Sequence, residues 1–333
     1  MRRVLHLGSY LHGVNDIVYL MRQDLTPLCE LTAVDMRLYP GRWRYWPLHR
    51  PLVEPEGKVN WIRPERIGRI IARARPEAII CNAGGLSFRP EHHQRLADQG
   101  IIRVGIALSD PDVFPDHGRL FARYFDLFYT NAEKSLADYQ AIGVRARLLR
   151  FAGSPRLHRP RPEVPRTCDV VVVGGARPDR RELVDKLRSA GFSVGLFGRG
   201  WNSPPRRDVI VRGESHVQAI NSGKIYLSFS QTMAGYINIK VGIFEAAACG
   251  ACILTEKFPE MESCFEYGQE ILGYTSHDEA VELVRTYIAD PERRQEIADN
   301  CYRRFGAEHT WNRRWEQVLT DLERTMASAP ETK

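Results

Sequence analysis

Long apolar runs are absent from this sequence of 333 residues. No stretch approaches the roughly 18 apolar residues that a membrane-spanning helix needs. The N-terminus, Met-Arg-Arg-Val-Leu-His-Leu-Gly, enters a strand pattern directly and lacks the apolar core and cleavage site of a signal peptide. Hydrophobic residues make up 43% of the chain and charged residues 26%, as in ordinary globular proteins. We therefore expect a cytoplasmic protein that is long enough for two domains.

Several cofactor motifs are incomplete. The seven cysteines are odd in number and mostly lie in apolar runs, which predicts reduced thiols in the core. Cys249-Gly-Ala-Cys252 has the letters of a redox or zinc motif, but no second cysteine pair completes a zinc site. Gly174-Gly175 lacks the full G-x-G-x-x-G spacing of a dinucleotide site. We therefore expect neither a bound metal nor a redox cofactor.

Lysine is scarce in the first half of the chain. Residues 1–165 carry 25 basic and 17 acidic side chains, and only Lys58 and Lys134 among the basic ones are lysines. Residues 166–333 carry 22 basic and 24 acidic side chains. Arginine favours bidentate contacts with phosphate and carboxylate groups. This half therefore presents either an ordinary solvated basic surface or a surface for an acidic acceptor, an anionic lipid membrane or nucleic acid.

The segment Arg42-Trp-Arg-Tyr-Trp46 interleaves cations with aromatic rings. Such a run can stack on nucleic-acid bases or lie at a membrane interface. It is equally consistent with a loop whose tryptophans pack on the core.

Strand and helix signals alternate in both halves, which predicts α/β domains with parallel sheets. Four prolines in residues 151–165 indicate a linker. We expect an N-terminal domain at 1–150, a C-terminal domain at 166–310 and a final helix and tail at 311–333, with that helix crossing back to the N-terminal domain. In such folds the ligand lies at the carboxyl ends of the strands, here between the two halves. The predicted strands and helices of the first half are 3–7, 16–25, 31–36, 64–74, 78–81, 103–108, 127–130 and 133–142.

Residues 238–255 form the most informative segment. Val241 to Cys249 is an almost wholly apolar helical pattern that Gly250 ends, and a β-type run follows. Glu245 lies within this helix, and a buried carboxylate normally has a specific partner because an unpaired buried charge is very unfavourable. Lys240 precedes the helix, whose free N–H groups favour an anion. A cation, a helix N-terminus and one acid together suit a phosphate and a neighbouring diol, as in a nucleotide sugar.

From about Val171 to Val318 the chain resembles the CgeB-like, spore-coat type of glycosyltransferase, with a C-terminal domain like that of the glycosyl transferases group 1. The resemblance implies the GT-B fold, in which two Rossmann-like domains face a central cleft. It also implies metal-independent transfer of a sugar from a nucleoside-diphosphate sugar, bound by the C-terminal domain, to an acceptor hydroxyl or amine at the N-terminal domain. The matching motifs are Val172-Val-Gly-Gly175, Leu196-Phe-Gly-Arg-Gly-Trp201, Gly223-Lys-Ile-Tyr-Leu227, Phe244-Glu-Ala-Ala-Ala-Cys-Gly250, Leu254-Thr255, Phe265-Glu-Tyr-Gly-Gln-Glu-Ile271 and His309-Thr310.

The same resemblance implies a donor site. A Glu at the position of Glu245 binds the ribose hydroxyls in related enzymes, and a basic residue before its helix, here Lys240, contacts the diphosphate. Many retaining members have a second Glu eight positions earlier, where this chain has Ile237, so the stereochemical outcome stays open. Asn238 next to it suits either a sugar hydroxyl or a loop cap. The other predicted donor residues are Gly242, Gly174, Gly175, Arg177, Arg199 and Gly213.

Two residues of the first half are candidates for a general base. Asp110 follows a predicted strand and could deprotonate an acceptor hydroxyl, although an N-cap or turn role in Ser109-Asp-Pro-Asp112 is the alternative. His12 lies just past the first strand and is either a base or an ordinary loop histidine. A sugar-nucleotide epimerase or hydrolase of the same fold, and a non-catalytic nucleotide-sugar-binding protein, are the alternative functions. The sequence leaves open the donor base, the sugar, the acceptor and the oligomeric state.

Overall fold

The computed structural model describes residues 2–8, 10, 17–35, 49–54, 57–62, 64–82, 86–202, 207–232 and 235–328. Contacts within the chain divide it into a first unit (Met1–Arg150 with Trp311–Lys333) and a second unit (Phe151–Thr310). Each unit is built around a parallel sheet, which confirms the predicted α/β class. Among the described helices, none combines the length and the hydropathy that a membrane crossing requires.

The first unit contains one large and one small sheet. Its strands are β1 (Arg3–Gly8), β2 (Glu30–Asp35), β3 (His49–Glu54), β4 (Gly57–Ile62), β5 (Ala78–Asn82), β6 (Leu86–Ser87), β7 (Ile102–Ala107), β8 (Leu127–Thr130) and β9 (Arg147–Leu148). Its helices up to residue 150 are α1 (Ile17–Leu25), α2 (Pro64–Ala74), α3 (Pro90–Asp98), α4 (Arg119–Phe121) and α5 (Ser135–Ala141). The large sheet is parallel in the order β2-β1-β5-β7-β8-β9, and the small one has the order β3-β4-β6.

The second unit has one five-stranded sheet. Its strands are β10 (Cys168–Val173), β11 (Val194–Phe197), β12 (Gly223–Leu227), β13 (Cys252–Glu256) and β14 (Leu272–Tyr274). Its helices are α6 (Pro178–Ser189), α7 (Glu214–Asn221), α8 (Val241–Ala248), α9 (Pro259–Glu262), α10 (His277–Ala289) and α11 (Pro291–Glu308). All strands are parallel in the order β11-β10-β12-β13-β14. The order reverses between β10 and β12, which is the kind of position where open α/β sheets bind ligands.

Valines that alternate along β10 place the sheet between two apolar layers. Val171 belongs to the core cluster that includes residues of α7, α8 and α11. Val170 and Val172 belong to the opposite cluster, which includes residues of α6 and α10. Burial on both faces is the usual arrangement of a parallel sheet and explains the uninterrupted apolar runs in the sequence.

Helix α8 is apolar all round because it is covered on more than one side. It packs against β13 and α11, and the side chains Ile243, Phe244 and Ala246–Ala248 are buried. The helix ends at the predicted position, since Gly250 has a φ of +65° and the Ala251 N–H donates to the Ala246 carbonyl. All seven cysteines are free and buried, which confirms the prediction of reduced core thiols.

The last helix, α12 (Trp311–Ser328), belongs to the first unit. Trp315 is fully buried, and its indole N–H donates to the Met21 carbonyl of α1 over 2.7 Å. Asp321 accepts a 2.8 Å hydrogen bond from the Tyr129 hydroxyl and forms an ion pair with Arg147. The predicted return of the C-terminal helix to the N-terminal domain is therefore confirmed.

Candidate functional site

A pocket of about 390 Å³ opens at the carboxyl ends of the strands of the second unit. It lies at the point where the strand order reverses, because residues at the ends of β10, β11 and β12 form three of its walls. The N-terminal turns of α6, α7 and α8 contribute the remaining polar side chains. The residues that line the pocket include Gly174, Arg180, Gly198, His216, Tyr226, Phe229, Lys240, Gly242 and Glu245.

Two glycines let the loops after β10 and β11 touch. A Cβ atom at Gly198 would lie 2.2 Å from the Gly174 carbonyl oxygen, and the φ of Gly198 is +144°. The Gly174 N–H donates to the Phe197 carbonyl, and the Gly174 carbonyl accepts a 2.7 Å hydrogen bond from the Trp201 indole. The two loops are therefore held together at a point of the pocket wall where no side chain can be accommodated.

Glu245 lies in α8 with its side chain 15% exposed. Its Oε1 atom is 3.6 Å from His158 Nε2, and its Oε2 atom is 3.4 Å from His216 Nε2. The two imidazole rings are 5.9 Å apart between centroids and inclined at 66°. The specific partner that an acid in an apolar helix requires is thus a pair of histidines, one at each carboxylate oxygen.

The two histidines differ in their affinity for a proton. Burial lowers the pKa of His158, and the charge of Glu245 offsets this only in part. Burial also acts to lower the pKa of His216, but the Glu245 carboxylate beside it outweighs this effect, so that the pKa is raised. Burial raises the pKa of Glu245, whereas the two histidines lower it, with a net fall to about 2. We therefore expect Glu245 to be ionised at neutral pH, and His216 to hold a proton more strongly than His158 does.

The three residues also meet the proximity requirement of a metal site. Their ligand-type atoms all lie within 4.8 Å of one another, and the described part of the chain has no other such group of three. Because one imidazole contacts each oxygen of the carboxylate, we interpret the three residues as a carboxylate–histidine cluster, called the Glu245 cluster below.

Two cations stand on other walls of the same pocket. Lys240 directly precedes α8, and its ammonium group donates to the Asn238 side-chain oxygen. Arg180 lies in the first turn of α6, where its guanidinium group stacks 5.2 Å from the centre of the Phe229 ring. It also donates a 2.8 Å hydrogen bond to the Gly175 carbonyl. Burial lowers the pKa of Arg180, but arginine remains protonated in proteins, so this wall is positively charged.

Some of the residues predicted for the donor site line this pocket. They are Glu245, Lys240, Gly242 and Gly174. Five others do not line it, namely Asn238, Gly175, Arg177, Arg199 and Gly213.

Residues outside the lining organise the loops around the pocket. Arg177 pairs with Asp179 over 3.0 Å. Arg199 is exposed, and its carbonyl accepts the Ala176 N–H. Gly213 is buried and directly precedes α7, with a φ of +53°. The arginine that lines the pocket is therefore Arg180 rather than Arg177 or Arg199.

Sequence reasoning missed three residues of the site. Arg180 was predicted only as the first residue of a helix at 180–190, and His216 lies on α7, for which no clear apolar periodicity exists. His158 lies in the proline-rich segment predicted as a linker, which in the structure belongs to the second unit and buries Ala152, Ser154 and His158. The one signal for the histidines was the requirement that Glu245 have a partner.

Asp110 lies in the interior of the first unit, 2% exposed. The Thr130 hydroxyl donates to its carboxylate over 2.7 Å and the Tyr139 hydroxyl over 3.0 Å, while the Asp110 N–H donates to the Asn131 side chain. Burial raises its pKa, although the two hydroxyl groups act in the opposite direction. These contacts connect the loop after β7 to β8 and α5, which gives Asp110 a structural role. The role of Asp110 as a general base stays a prediction. His12 and the segment 42–46 lie outside the described residues.

Comparisons with known proteins agree with this architecture. Residues 177–320 match a family model described as glycosyl transferase-like. The structure is similar to sucrose-phosphate synthase from Thermosynechococcus elongatus, with a TM-score of 0.66 and 14% identity over 98% of this chain and 100% of that one. It is also similar to AviGT4, a glycosyltransferase of avilamycin A biosynthesis, with a TM-score of 0.61 and 16% identity over 99% of both chains. No curated protein matches the sequence.

A third similar structure contains a nucleotide sugar. It is Anabaena HepE in complex with UDP-glucose, with a TM-score of 0.60 and 12% identity over 97% of this chain and 100% of that one. These likenesses confirm the predicted GT-B fold. The fold and the matched segment together indicate an enzyme of the glycosyltransferase class. More narrowly, residues 177–320 are the segment that matches the glycosyl transferase-like family model.

Proposed function

We propose that this enzyme transfers a glycosyl group from a nucleoside-diphosphate sugar to an acceptor hydroxyl or amine without the help of a metal ion. In this proposal the second unit binds the donor and the first unit binds the acceptor. The CgeB-like subtype and the cytoplasmic location expected from the sequence are parts of the same proposal.

The observation that carries the proposal is a single pocket with one carboxylate and two cations. Glu245, Lys240 and Arg180 all line it, at the position where doubly wound sheets bind nucleotides. Each carboxylate oxygen has two lone pairs, so Glu245 can face its histidines and still accept the two hydroxyl groups of a ribose. The complexes of HepE with UDP and with UDP-glucose support a donor of this chemical class.

We assign the diphosphate to the positive side of the pocket. Lys240, Arg180 and the free N–H groups at the start of α8 converge there. Charge develops on the diphosphate as the sugar leaves, and preorganised cations and N–H groups stabilise such charge in the transition state. This arrangement would perform the task that a divalent metal performs in other enzymes.

We assign an anionic or membrane-associated acceptor to the first unit because residues 1–165 hold the excess of arginine over acidic residues. A nucleic-acid acceptor is a second candidate with the same charge requirement. Transfer assays with an acidic glycan, a lipid-linked phosphate and DNA as acceptors distinguish these classes.

The donor assignment is tested by thermal shift with UDP, GDP, CDP and dTDP. We expect at least one ribonucleotide to stabilise the protein, and by more than its 2′-deoxy counterpart, because Glu245 would accept both ribose hydroxyls. A ligand at about 100 times its Kd stabilises by about 2.7 kcal/mol. The variant Glu245→Gln should lose most of this stabilisation. The control is Glu182→Gln, which removes the carboxylate that pairs with His277 elsewhere in the second unit.

Three results would contradict the proposal. If none of the four nucleotides stabilised the protein, the assignment of a donor site would be wrong. If a nucleotide stabilised wild type and Glu245→Gln equally, the assignment of Glu245 to that site would be wrong. Turnover of the nucleotide sugar at the same rate with and without any acceptor would indicate an epimerase or a hydrolase instead of a transferase.

A further inference from the structure

The Glu245 cluster is assembled from three separate elements. Glu245 comes from α8, His216 from the first turn of α7, and His158 from the segment that precedes β10. His216 lines the pocket beside Glu245, whereas His158 is outside the lining and only 3% exposed. The carboxylate therefore has one histidine at the pocket surface and one behind it.

We infer that His158 and His216 are positioning residues, which hold the Glu245 carboxylate ionised and oriented toward the donor, and that the proton on His216 makes donor binding weaken as the pH rises. This inference rests on the proposed role of Glu245 in binding the ribose. It goes beyond that role by assigning functions to two residues that need not touch the donor.

Orientation follows from the two contacts. A carboxylate held at one oxygen can rotate about its last carbon–carbon bond, but contacts at both oxygens fix its plane. The backbone N–H of His158 donates a 2.9 Å hydrogen bond to the Ser154 carbonyl, and the burial of its side chain, which is 3% exposed, restricts the imidazole ring. The free lone pairs of Glu245 are therefore presented in one direction, which lowers the entropy cost of binding a rigid diol.

Ionisation follows from the charges around the cluster. In the described part of the chain, Glu245 is the carboxylate that contacts His216, and the raised pKa of His216 reflects that contact. The carboxylate of Glu214, on the first turn of the same helix, is engaged by Arg159 and Arg161 instead. Other titratable or charged groups near the cluster and the pocket are His158 before β10, Tyr226 on β12, Cys249 after α8, Arg180 on α6 and Lys240 before α8. The carboxylates of Asp179 and Glu256 act on Arg180.

The direction of the pH effect follows from these charges. While His216 is protonated, its charge offsets that of Glu245, and Lys240 and Arg180 give the pocket a net attraction for an anionic donor. As the pH rises through the pKa of His216, which lies above 6.5, the pocket loses one positive charge. We expect the Kd for the donor to increase about 3- to 10-fold across this change.

The first test measures the Kd of UDP-glucose by calorimetry between about pH 6 and 8.5, where the charge of its diphosphate diester is constant. Wild type should bind more weakly at the upper end. The Kd of His216→Gln should not change with pH over this range, and it should equal the Kd that wild type has at the highest pH. The matched control His277→Gln removes an exposed histidine that pairs with Glu182 over 3.2 Å, and it should keep the wild-type step. A step of wild-type size in His216→Gln would overturn the inference.

The second test needs no donor. Titration of the histidine side chains by nitrogen-15 NMR in the ligand-free protein should give His216 a pKa above 6.5, and Glu245→Gln should lower it. An unchanged pKa in that variant would overturn the inference even if UDP-glucose is the wrong donor. Failure of every nucleotide in the thermal-shift series together with the expected NMR result would instead contradict the proposed function alone.

A third measurement separates positioning by His158 from simple packing. His158→Gln can keep a polar N–H group near the position of Nε2, which contacts Glu245, whereas His158→Leu fills the space without one. We expect UDP-glucose to bind His158→Gln within about threefold of wild type and His158→Leu at least about tenfold more weakly. Equal affinities for the two variants would show that His158 only fills space.

Discussion

Two buried histidines should make the first unit sensitive to mild acid. His6 is fully buried on β1, where its ring contacts the Tyr10 hydroxyl and the edge of Trp315. His93 is 1% exposed on α3 and lies among aromatic rings that include Tyr124 and Phe125. Burial lowers the pKa of each histidine to about 4. Both are therefore neutral in the folded protein at neutral pH.

The magnitude follows from the difference between the folded and unfolded pKa values. An unfolded histidine has a pKa near 6.5, so the unfolded chain binds more protons than the folded one between about pH 6.5 and 4. The contribution of the two neutral histidines to the free energy of unfolding is complete above this range and is lost as the pH falls through it. Between pH 7 and pH 4.5, each histidine should lower the free energy of unfolding by about 2 kcal/mol. The two together reach a large share of a typical unfolding free energy of about 5–15 kcal/mol.

The assay is urea unfolding at pH 7 and at pH 4.5, followed by circular dichroism. The test variant is His93→Phe, which keeps an aromatic ring and cannot take up a proton. Between pH 7 and pH 4.5, we expect the free energy of unfolding of this variant to fall by about 2 kcal/mol less than that of wild type. His277→Gln, at an exposed site, should behave as wild type. An identical acid loss in wild type and His93→Phe would refute the reasoning.

Four further predictions concern the pocket, the fold and the metal requirement. Arg180→Gln should weaken binding of the donor nucleotide about 10- to 100-fold in calorimetry with little change in the melting temperature, and an unchanged Kd would remove Arg180 from the diphosphate site. Gly198→Ala should lower the free energy of unfolding by about 2–4 kcal/mol in urea because its Cβ would collide with Gly174, and wild-type stability would contradict this. Asp321→Asn should lower it by about 1–3 kcal/mol, since a charged acceptor for Tyr129 is lost, and the same urea titration checks it. Addition of EDTA should leave the transfer rate unchanged, whereas a loss that Mg²⁺ or Zn²⁺ restores would overturn metal independence.

The main helices and strands were predictable because their local sequence patterns agree with the way these segments are buried in the fold. Helix α2 spans Pro64–Ala74 as predicted, since a proline at its first position and a strong apolar stripe mark it. Strand β8 at Leu127–Thr130 and the end of α8 at Gly250 also coincide with their predictions. In α2 and α8 a regular apolar pattern coincides with a residue, Pro64 or Gly250, that marks one end of the helix.

Other elements had no such pattern. The β3–β4 hairpin mixes charged and apolar residues without regular alternation, and α7 is short and polar. In addition, β4 pairs with β6, and α7 packs against β10 and β12, so contacts outside each segment help to fix its position.

The site was predictable in kind but not in detail. Glu245 and Lys240 were expected because an acid in an apolar helix and a cation before it are local features of one segment. The histidine partners were not, because His158 and His216 reach Glu245 only after three elements have packed together. For the arginines, Arg177 precedes α6 and Arg180 lies in its first turn, so the helix geometry decides which one reaches the pocket.

The placement of α12 determines the order in which the two units can mature during synthesis. Translation produces residues 1–150 first, but the core that they form includes Trp315 and the anchor Asp321, which emerge only after the whole second unit has been made. The second unit, Phe151–Thr310, is continuous and can fold while the ribosome is still completing the chain. The part of the chain that is made first is therefore completed last, when Trp315 and Asp321 reach their partners Met21 and Tyr129.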